Sequence, residues 1–475
     1  MGDKNVQEEN PWQKTILTMS SRHSFTTLGL TNESLEPDML FKPILKLLIY
    51  ILAGIALIAL GFSAYFMWFQ PPFYFPRPTG KYAAGTKKYY WVDESRKEIF
   101  HDDPLHPNRE LMVRIWYPSD NKLPQKPSVP YAPYLIEHLK KTQPLTYFLG
   151  CPRSLYSYAQ PDLDCSKVRC PIIIYSHGAG GTKESGTAQC EELASHGYIV
   201  VGISHTYDSF VVQFPDGRII DGKKFTEERE KGKNFIERRK LSAQEIEIWV
   251  SDVQFVLNEL EKIADNKESL LYGRLDLNKI GMFGQSQGGG VAVQVCRIDP
   301  RIKAGVDLDG SVLGAEETNP TGAVDKPLMF ILAGETTKMF DGPTMTKDDW
   351  KKFNVRSAAE EQMLRSRYLE GIENISKSSK SDVYTFIFHG AGHTDLTDMA
   401  FLKYASPLAK PLIKLGIIKN PGGDRLTPDT SLDGFRTVEI VRSYLLDFFN
   451  KYLREQPSKL LDGSDEQYPE MQAIP

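Results

Sequence analysis

The sequence has few cysteines, and none of them is spaced as a metal or redox site. Its 475 residues contain five cysteines and no Cys-x-x-Cys pair. Zinc ribbons and dithiol redox sites are built on such pairs, so neither a metal nor a cofactor is predicted. Cys151, Cys165 and Cys170 lie close together in the chain, and a disulfide among them is expected only in an oxidising compartment.

An excess of one charge and internal repetition are also lacking. The formal net charge is −4 with a pI near 6.2, and no long block of like charge occurs. A nucleic-acid-binding surface needs a basic field, so nucleic acid is not expected as the main partner. No repeat of solenoid length occurs either, which argues against a repeat protein.

The N-terminal part predicts a tail followed by a membrane anchor. Residues 1–40 are polar and mixed in charge, which is typical of a disordered tail, whereas residues 47–69 contain no charged side chain. An apolar run of this length spans a bilayer as a helix, so residues 41–70 are predicted to be a single-pass anchor. A cleaved signal peptide is the alternative, but 46 residues precede the run, which favours an uncleaved anchor.

The side of the membrane stays open. Lysines flank the run on both sides, and Asn374 begins a single glycosylation sequon.

Residues 71–475 alternate between strand and helix patterns, which predicts one α/β domain. Short, continuously apolar runs suit parallel strands that are covered on both faces. Alternation of such runs with amphipathic helices indicates a doubly wound, mostly parallel sheet flanked by helices. The predicted strands are Leu111–Tyr117, Ile172–Ser176, Tyr198–Ser204, Lys279–Phe283, Ile302–Leu308, Pro327–Leu332 and Val383–Phe388, and the longest predicted helices are Leu241–Ala264 and Thr437–Leu453.

The strongest functional signal is the segment Gly284-Gln285-Ser286-Gln287-Gly288, a G-x-S-x-G motif. It follows a predicted strand and opens a predicted helix, which is the context that a nucleophile elbow requires. Gly284 and Gly288 leave room for the closely approaching backbone of the turn. We therefore expect Ser286 to be the nucleophile of a serine hydrolase.

A serine nucleophile needs a histidine base, and the base needs an acid to orient it. Only His389 and His393 follow Ser286, and His393 is the better candidate because it lies further beyond the last predicted strand. The acid is Asp309 or Glu335, each at the end of a strand, and position alone leaves both open. Asp307 is weaker because it lies two residues deeper in its strand.

An oxyanion hole usually needs two backbone N–H groups. One is expected from Gln287, the residue after the nucleophile. The other is expected from Ala179 in the glycine-rich loop at 176–181, which follows an early strand. His177 precedes the serine and is expected to shape this loop.

The chain resembles the platelet-activating-factor acetylhydrolase family of α/β-hydrolases over roughly residues 78–470. The resemblance rests on several ordered motifs: PTGKYAAGT, RELMVRIWYPSD, PIIIYSHGAGG, YGRLDLNKIGMFGQSQGG, DLDG, the His393 loop and FFNKYLRE. It implies that Ser286, Asp309 and His393 form the triad and that Ala179 and Gln287 supply the oxyanion donors. It also implies hydrolysis of short or oxidised sn-2 acyl chains of phospholipids, without a metal.

Two departures from the family concern the residues around the serine. Gln285 and Gln287 stand where the family usually has His before the serine and Phe or Met after it. These changes alter the polarity of the pocket and leave the triad intact.

Two other functions compete with this hypothesis. One is a general carboxylesterase or dienelactone-hydrolase-like enzyme on small soluble esters, and the other is a membrane-anchored hydrolase-fold domain that only binds. Residues 406–419 mix aliphatic side chains with lysines and are either a membrane-surface face or an ordinary buried helix. Residues 336–380 are predicted to be an insertion near the site.

Overall fold

The computed structural model describes residues 37–69, 72–144, 147, 154–310, 323–341, 345–347, 350, 355–402, 415, 432–463 and 466–474. Its helices are α1 Pro37–Phe69, α2 Pro133–Thr142, α3 Thr187–Ser195, α4 Gly222–Glu230, α5 Phe235–Asp265, α6 Gln287–Ile298, α7 Gly334–Asp341, α8 Ala358–Ser378, α9 Met399–Leu402 and α10 Gly434–Arg454. Its strands are β1 Phe73–Tyr74, β2 Ala83–Lys97, β3 Asn108–Ser119, β4 Val129–Pro130, β5 Leu155–Ser157, β6 Gln160–Pro161, β7 Cys170–Ser176, β8 Ile199–Ser204, β9 Val212–Gln213, β10 Ile219–Ile220, β11 Leu275–Gln285, β12 Ile302–Leu308, β13 Leu328–Ala333, β14 Val383–Phe388 and β15 Met471–Ile474.

The N-terminal unit of the chain contains the long apolar helix α1. This helix begins at Pro37, within the stretch that the sequence predicts as tail. Its segment Lys42–Ala64 has a mean hydropathy of 2.5, and it is long and apolar enough to cross a membrane. Most of its side chains are exposed within the unit. Apolar side chains that protein does not cover suit a lipid environment.

The second unit, Phe69–Pro475, is built on a ten-stranded mixed sheet. Its order is β15-β14-β13-β12-β11-β7-β8-β3-β2-β6, and the six strands from β14 to β8 run parallel. The carboxyl ends of parallel strands meet at one edge of a sheet, so the loops that follow β7, β11, β12 and β14 lie along the same edge. This is the α/β-hydrolase fold that the sequence predicts.

Helices cover both faces of the sheet, and the strands alternate between the two cores. In β7, Ile172 and Ile174 pack with helices α5, α6 and α8, whereas Ile173 and Tyr175 pack with α3 and α10. Side chains of a strand point to opposite faces in turn, so a strand covered on both sides is apolar at every position. This explains the short continuous runs in the sequence.

All seven predicted strands are present, and their ends differ from the predicted ones by up to four residues. Strand β2 was not predicted, because its residues from Lys87 onward are largely exposed and carry charges. It pairs antiparallel with β3 and lies near the end of the sheet, where one face meets solvent. The segment 406–419 lies outside the described residues apart from Leu415, so its role stays a prediction.

Candidate active site

Ser286 lies in a strained turn between β11 and α6. Its φ is 55° and its ψ is −122°, a backbone conformation that a residue with a side chain rarely adopts. Its amide donates to Leu308 O at 3.0 Å, which ties the turn to the end of β12. The turn holds the serine at the carboxyl edge of the sheet, where it is partly exposed.

The two glycines of the motif are required by close backbone contacts. A Cβ at Gly284 would lie 2.1 Å from Gly288 O, and a Cβ at Gly288 would lie 2.2 Å from Ser176 O. Real Cβ atoms do not approach backbone atoms this closely, so both positions accept only glycine without a shift of the backbone. The contact with Ser176 packs the start of α6 against the end of β7.

Asp309 and His393 form a close pair beside this turn. Asp309 follows β12 with a φ of 53°, and its Oδ2 lies 2.7 Å from His393 Nδ1. The carboxylate is fully buried, and the ring of His393 is partly buried. With its Nδ1 hydrogen directed at Asp309, a neutral His393 carries its lone pair on Nε2, the atom that a general base uses.

The competing candidates lie elsewhere. Glu335 forms an ion pair with Lys338 at 2.6 Å, and His389 Nε2 lies 2.6 Å from Gln472 Oε1. The acid that pairs with His393 is thus Asp309 and not Glu335. His389 takes no part in this pair. The catalytic roles of Ser286, Asp309 and His393 stay a prediction.

Asp307 lies beneath the turn and accepts a hydrogen bond from Gly310 N at 2.5 Å through Oδ1. Its Oδ2 is buried and has no hydrogen-bond partner among the described residues. Burial raises the pKa of Asp307 to about 8, and the charge of Asp309 adds to the effect. The protonated form is therefore favoured at pH 7, and Asp307 has no hydrogen bond to His393 among the described residues.

The loop after β7 closes a tight turn around Ala179. Gly181 N donates to Gly178 O at 2.8 Å, and Gly180 has a φ of 70°, which glycine accepts freely. A Cβ at Gly178 would lie 3.1 Å from Ser286 Cβ, so this loop contacts the serine turn directly. The loop thus adjoins the Ser286 turn, and the roles of Ala179 and Gln287 as oxyanion donors stay a prediction.

A second, fully buried Ser–His–Asp chain lies behind this loop. His205 Nε2 lies 3.0 Å from Ser176 Oγ, and His205 Nδ1 lies 2.9 Å from Asp252 Oδ2. Arg109 forms two hydrogen bonds with Asp252, of 2.7 and 3.1 Å. Substrate cannot reach these residues because none of the three chain members is exposed. This hydrogen-bonded Ser–His–Asp chain fixes the end of β7, and it therefore also fixes the glycine-rich loop that follows β7.

His177 holds the loop from below. Its Nδ1 hydrogen-bonds to Gly178 O at 2.7 Å, and its Nε2 lies 2.8 Å from Ser209 Oγ. Burial, together with the neighbouring His205, lowers the pKa of His177 to about 3, so the ring is neutral. The prediction that His177 shapes the loop agrees with these contacts. Sequence reasoning missed His205 and Asp252, although the polar run that follows β8 was a signal.

Gln285 bridges the loop and the histidine. Its Nε2 lies 3.2 Å from both the carbonyl oxygen and the Nε2 of His393. A carbonyl oxygen only accepts, so the amide must present its NH2 group to His393. Among the described residues, the partner of His393 Nε2 is therefore Gln285 rather than Ser286.

A cavity of about 210 Å³ opens beside Gly178 and Gln285. Its apolar lining comes mainly from α2, the loop after β8 and α9: Leu135, Ile136, Leu139, Phe210, Met399 and Leu402. An apolar cavity that adjoins the elbow and the oxyanion loop suits the acyl or alkyl part of an ester.

Metal ligands and disulfides do not contribute to the described part of the site. No group of three His, Cys, Asp or Glu side chains within the described ranges could hold a metal ion. Cys165, Cys170, Cys190 and Cys296 are free and buried, and Cys151 lies outside the described residues.

Comparison with known families decides where this chain belongs. The family model for platelet-activating factor acetylhydrolase, isoform II, matches residues 69–419. The chain belongs to this family. The match begins at the catalytic unit and covers the Ser286 turn, Asp309 and the His393 loop, which confirms the resemblance drawn from the sequence motifs.

Individual relatives are distant. A probable 1-alkyl-2-acetylglycerophosphocholine esterase of Arthroderma benhamiae is 24% identical over 63% of this chain and 65% of its own length. The platelet-activating factor acetylhydrolase of Cavia porcellus is 28% identical over 47% of this chain and 55% of its own. The chain thus matches about half to two thirds of these relatives.

A solved structure of a ferulic acid esterase from Streptomyces cinnamoneus aligns with a TM-score of 0.59 and 25% identity. It covers 85% of this chain and all of that one.

The neutral Asp307 gives a stability prediction with a defined pH window. Its folded pKa of about 8 lies above the usual 3.8, so the unfolded chain loses the proton first and stability falls as pH rises between these values. Asp307→Asn keeps the acceptor for Gly310 N and removes this loss. We expect the melting temperature of the variant to rise relative to wild type from pH 5 to pH 8. A difference that does not change with pH would contradict the assignment.

The contact between Gln285 and His393 gives a kinetic prediction. Gln285→Met keeps the length of the side chain but removes the donor that occupies the lone pair of His393 Nε2. We expect Ser286 of this variant to react severalfold faster with a small fluorophosphonate, measured as the rate of covalent labelling. Ser286→Ala is the blank. Labelling at the wild-type rate or slower would mean that Gln285 does not restrain the base.

Proposed function

We propose that this chain is a serine carboxylic-ester hydrolase that cleaves short sn-2 acyl chains from phospholipids through an acyl-enzyme. The observation that carries the proposal is the pair of Asp309 Oδ2 and His393 Nδ1, 2.7 Å apart, beside the Ser286 turn and the glycine-rich loop. Family membership supports it, since the named relatives are esterases of 1-alkyl-2-acetylglycerophosphocholine and acetylhydrolases of platelet-activating factor.

The chemistry follows from the placement of these groups. His393, oriented by Asp309, takes the Ser286 proton as the hydroxyl attacks the ester carbonyl. The amides of Ala179 and Gln287 stabilise the oxyanion, helped by the partial positive charge at the start of α6. His393 then protonates the leaving alcohol, and water releases the acyl group in the reverse sequence.

Helix α1 supports a membrane location. A single-pass anchor would keep the catalytic unit near lipid substrates and raise their effective concentration.

A second candidate is a general esterase on small soluble esters. The ferulic acid esterase favours it, because that structure aligns over its whole length. The aromatic rings of Tyr131 and Phe210 in the cavity lining would suit an aromatic acyl group.

The assay that separates these functions uses the full chain in detergent micelles and glycerophosphocholines whose sn-2 chain runs from acetyl to palmitoyl. We expect faster hydrolysis of short chains and no turnover by Ser286→Ala. His393→Ala should lower kcat by at least about a thousandfold. His389→Ala is the matched control and should retain activity, because its ring contacts Gln472.

Each contrary result has its own meaning. Serine-dependent turnover of soluble aromatic or acetyl esters alone would replace the phospholipase assignment with a general esterase. No turnover of any ester above the Ser286→Ala blank would refute the serine mechanism and favour a binding domain.

A further inference from the structure

The carboxylate of Asp309 is held by more than His393. Its Oδ1 accepts hydrogen bonds from Ala333 N at 2.8 Å and from the hydroxyl of Tyr368, and its Oδ2 accepts one from Thr336 Oγ1 at 2.8 Å. Together with His393, each oxygen has two donors. A carboxylate bonded in this way is fixed in both position and plane.

Two of these donors come from the segment that the sequence marks as an insertion. Thr336 lies on α7, and Tyr368 lies on α8. Tyr368 is buried, and its ring lies 4.6 Å from that of Phe340 on α7. The described part of this segment therefore reaches the triad from behind the acid.

Tyr368 is a donor throughout the working pH range. Burial raises the pKa of Tyr368 well above its usual value, and the charge of Asp309 raises it further. The hydroxyl therefore keeps its proton, and an ionised Asp309 is its acceptor. A buried tyrosine hydroxyl needs such a partner, so the contact is a specific polar one in an otherwise apolar cluster.

We propose that Tyr368 is a positioning residue for the ester hydrolysis, acting with Thr336 to hold the Asp309 carboxylate in the orientation that aligns His393. The segment around α7 and α8 is then the support of the catalytic acid. This inference rests on the proposed serine mechanism and extends it to residues outside the triad.

If Tyr368 positions Asp309, removal of its hydroxyl should change the pH dependence of the reaction. A residue that only packs would leave the pH dependence unchanged. Without the Tyr368 donor, the Asp309 carboxylate is a stronger hydrogen-bond acceptor. It therefore stabilises the imidazolium form of His393 more strongly. The acid limb of the pH profile of kcat/KM should therefore move to higher pH, and kcat should fall because the acid is less firmly held.

The test is the hydrolysis of a short-chain p-nitrophenyl ester by the full chain, with active sites counted by fluorophosphonate titration. Tyr368→Phe keeps the ring against Phe340 and removes only the donor. We expect kcat per titrated site to fall about tenfold, as for one hydrogen bond to a charged group, with KM changed less than about twofold. The acid limb should move to higher pH.

Tyr117→Phe is the matched control. Tyr117 is a buried tyrosine whose hydroxyl donates to Leu163 O at 2.8 Å, within the core. Its loss should lower the melting temperature and leave both kcat per site and the pH profile unchanged. Thr336→Val removes a donor from the other oxygen of Asp309, and we expect it to shift the acid limb in the same direction even if Tyr368→Phe does not fold.

The outcomes separate the inference from the function on which it rests. An active wild type with an unchanged pH profile and kcat in the folded variants would overturn the role of Tyr368 and leave the triad standing. A lower melting temperature of Tyr368→Phe with unchanged kcat per site and pH profile, as expected of the Tyr117→Phe control, would reduce Tyr368 to packing. If the wild type shows no Ser286-dependent turnover, both the role of Tyr368 and the proposed serine mechanism are overturned.

Discussion

The strained turn at Ser286 is the constraint on which the arrangement of the site depends. A serine at a φ of 55° can follow a strand and begin a helix only where the backbone on either side approaches closely. Gly284 and Gly288 permit that approach, and the contact of Gly288 with Ser176 O fixes the distance between the turn and β7. The glycine-rich loop continues from β7, so the same contact sets the position of the expected oxyanion donors.

Buried charges then orient the groups around this turn. The described residues contain one hydrogen-bonded Ser–His–Asp chain and one Asp–His pair beside the Ser286 turn, and access distinguishes them. The Ser176–His205–Asp252 chain is closed to solvent and anchored by Arg109, whereas Ser286 and His393 are partly exposed beside a cavity. The first supports the loop, and the second has the access that its proposed role in ester hydrolysis requires. Burial raises the pKa of Asp307, and the charge of the neighbouring Asp309 adds to the rise, so a second charge beside Asp309 is disfavoured.

The sequence predicts the parts of this account that depend on local pattern. Apolar runs predicted the six consecutive parallel strands from β14 to β8, because burial on both faces leaves few polar positions. The G-x-S-x-G context predicted the turn at Ser286. The choice between Asp309 and Glu335 needed the family resemblance, since both end a strand and only the fold turns one of them towards His393. The contacts of Gln285, Thr336 and Tyr368 escaped prediction because they join segments that are distant in the chain and show no periodicity.

The most direct test of the central claim is to locate the acyl group during turnover. The full chain would be mixed with a p-nitrophenyl ester of a short acid, quenched in acid within the first turnover, digested and mapped by mass spectrometry. The account predicts that the peptide containing Ser286 gains the mass of the acyl group, and that His393→Ala shows no such gain. Turnover with the acyl mass on another residue, or on none, would contradict the assignment of Ser286 as the nucleophile.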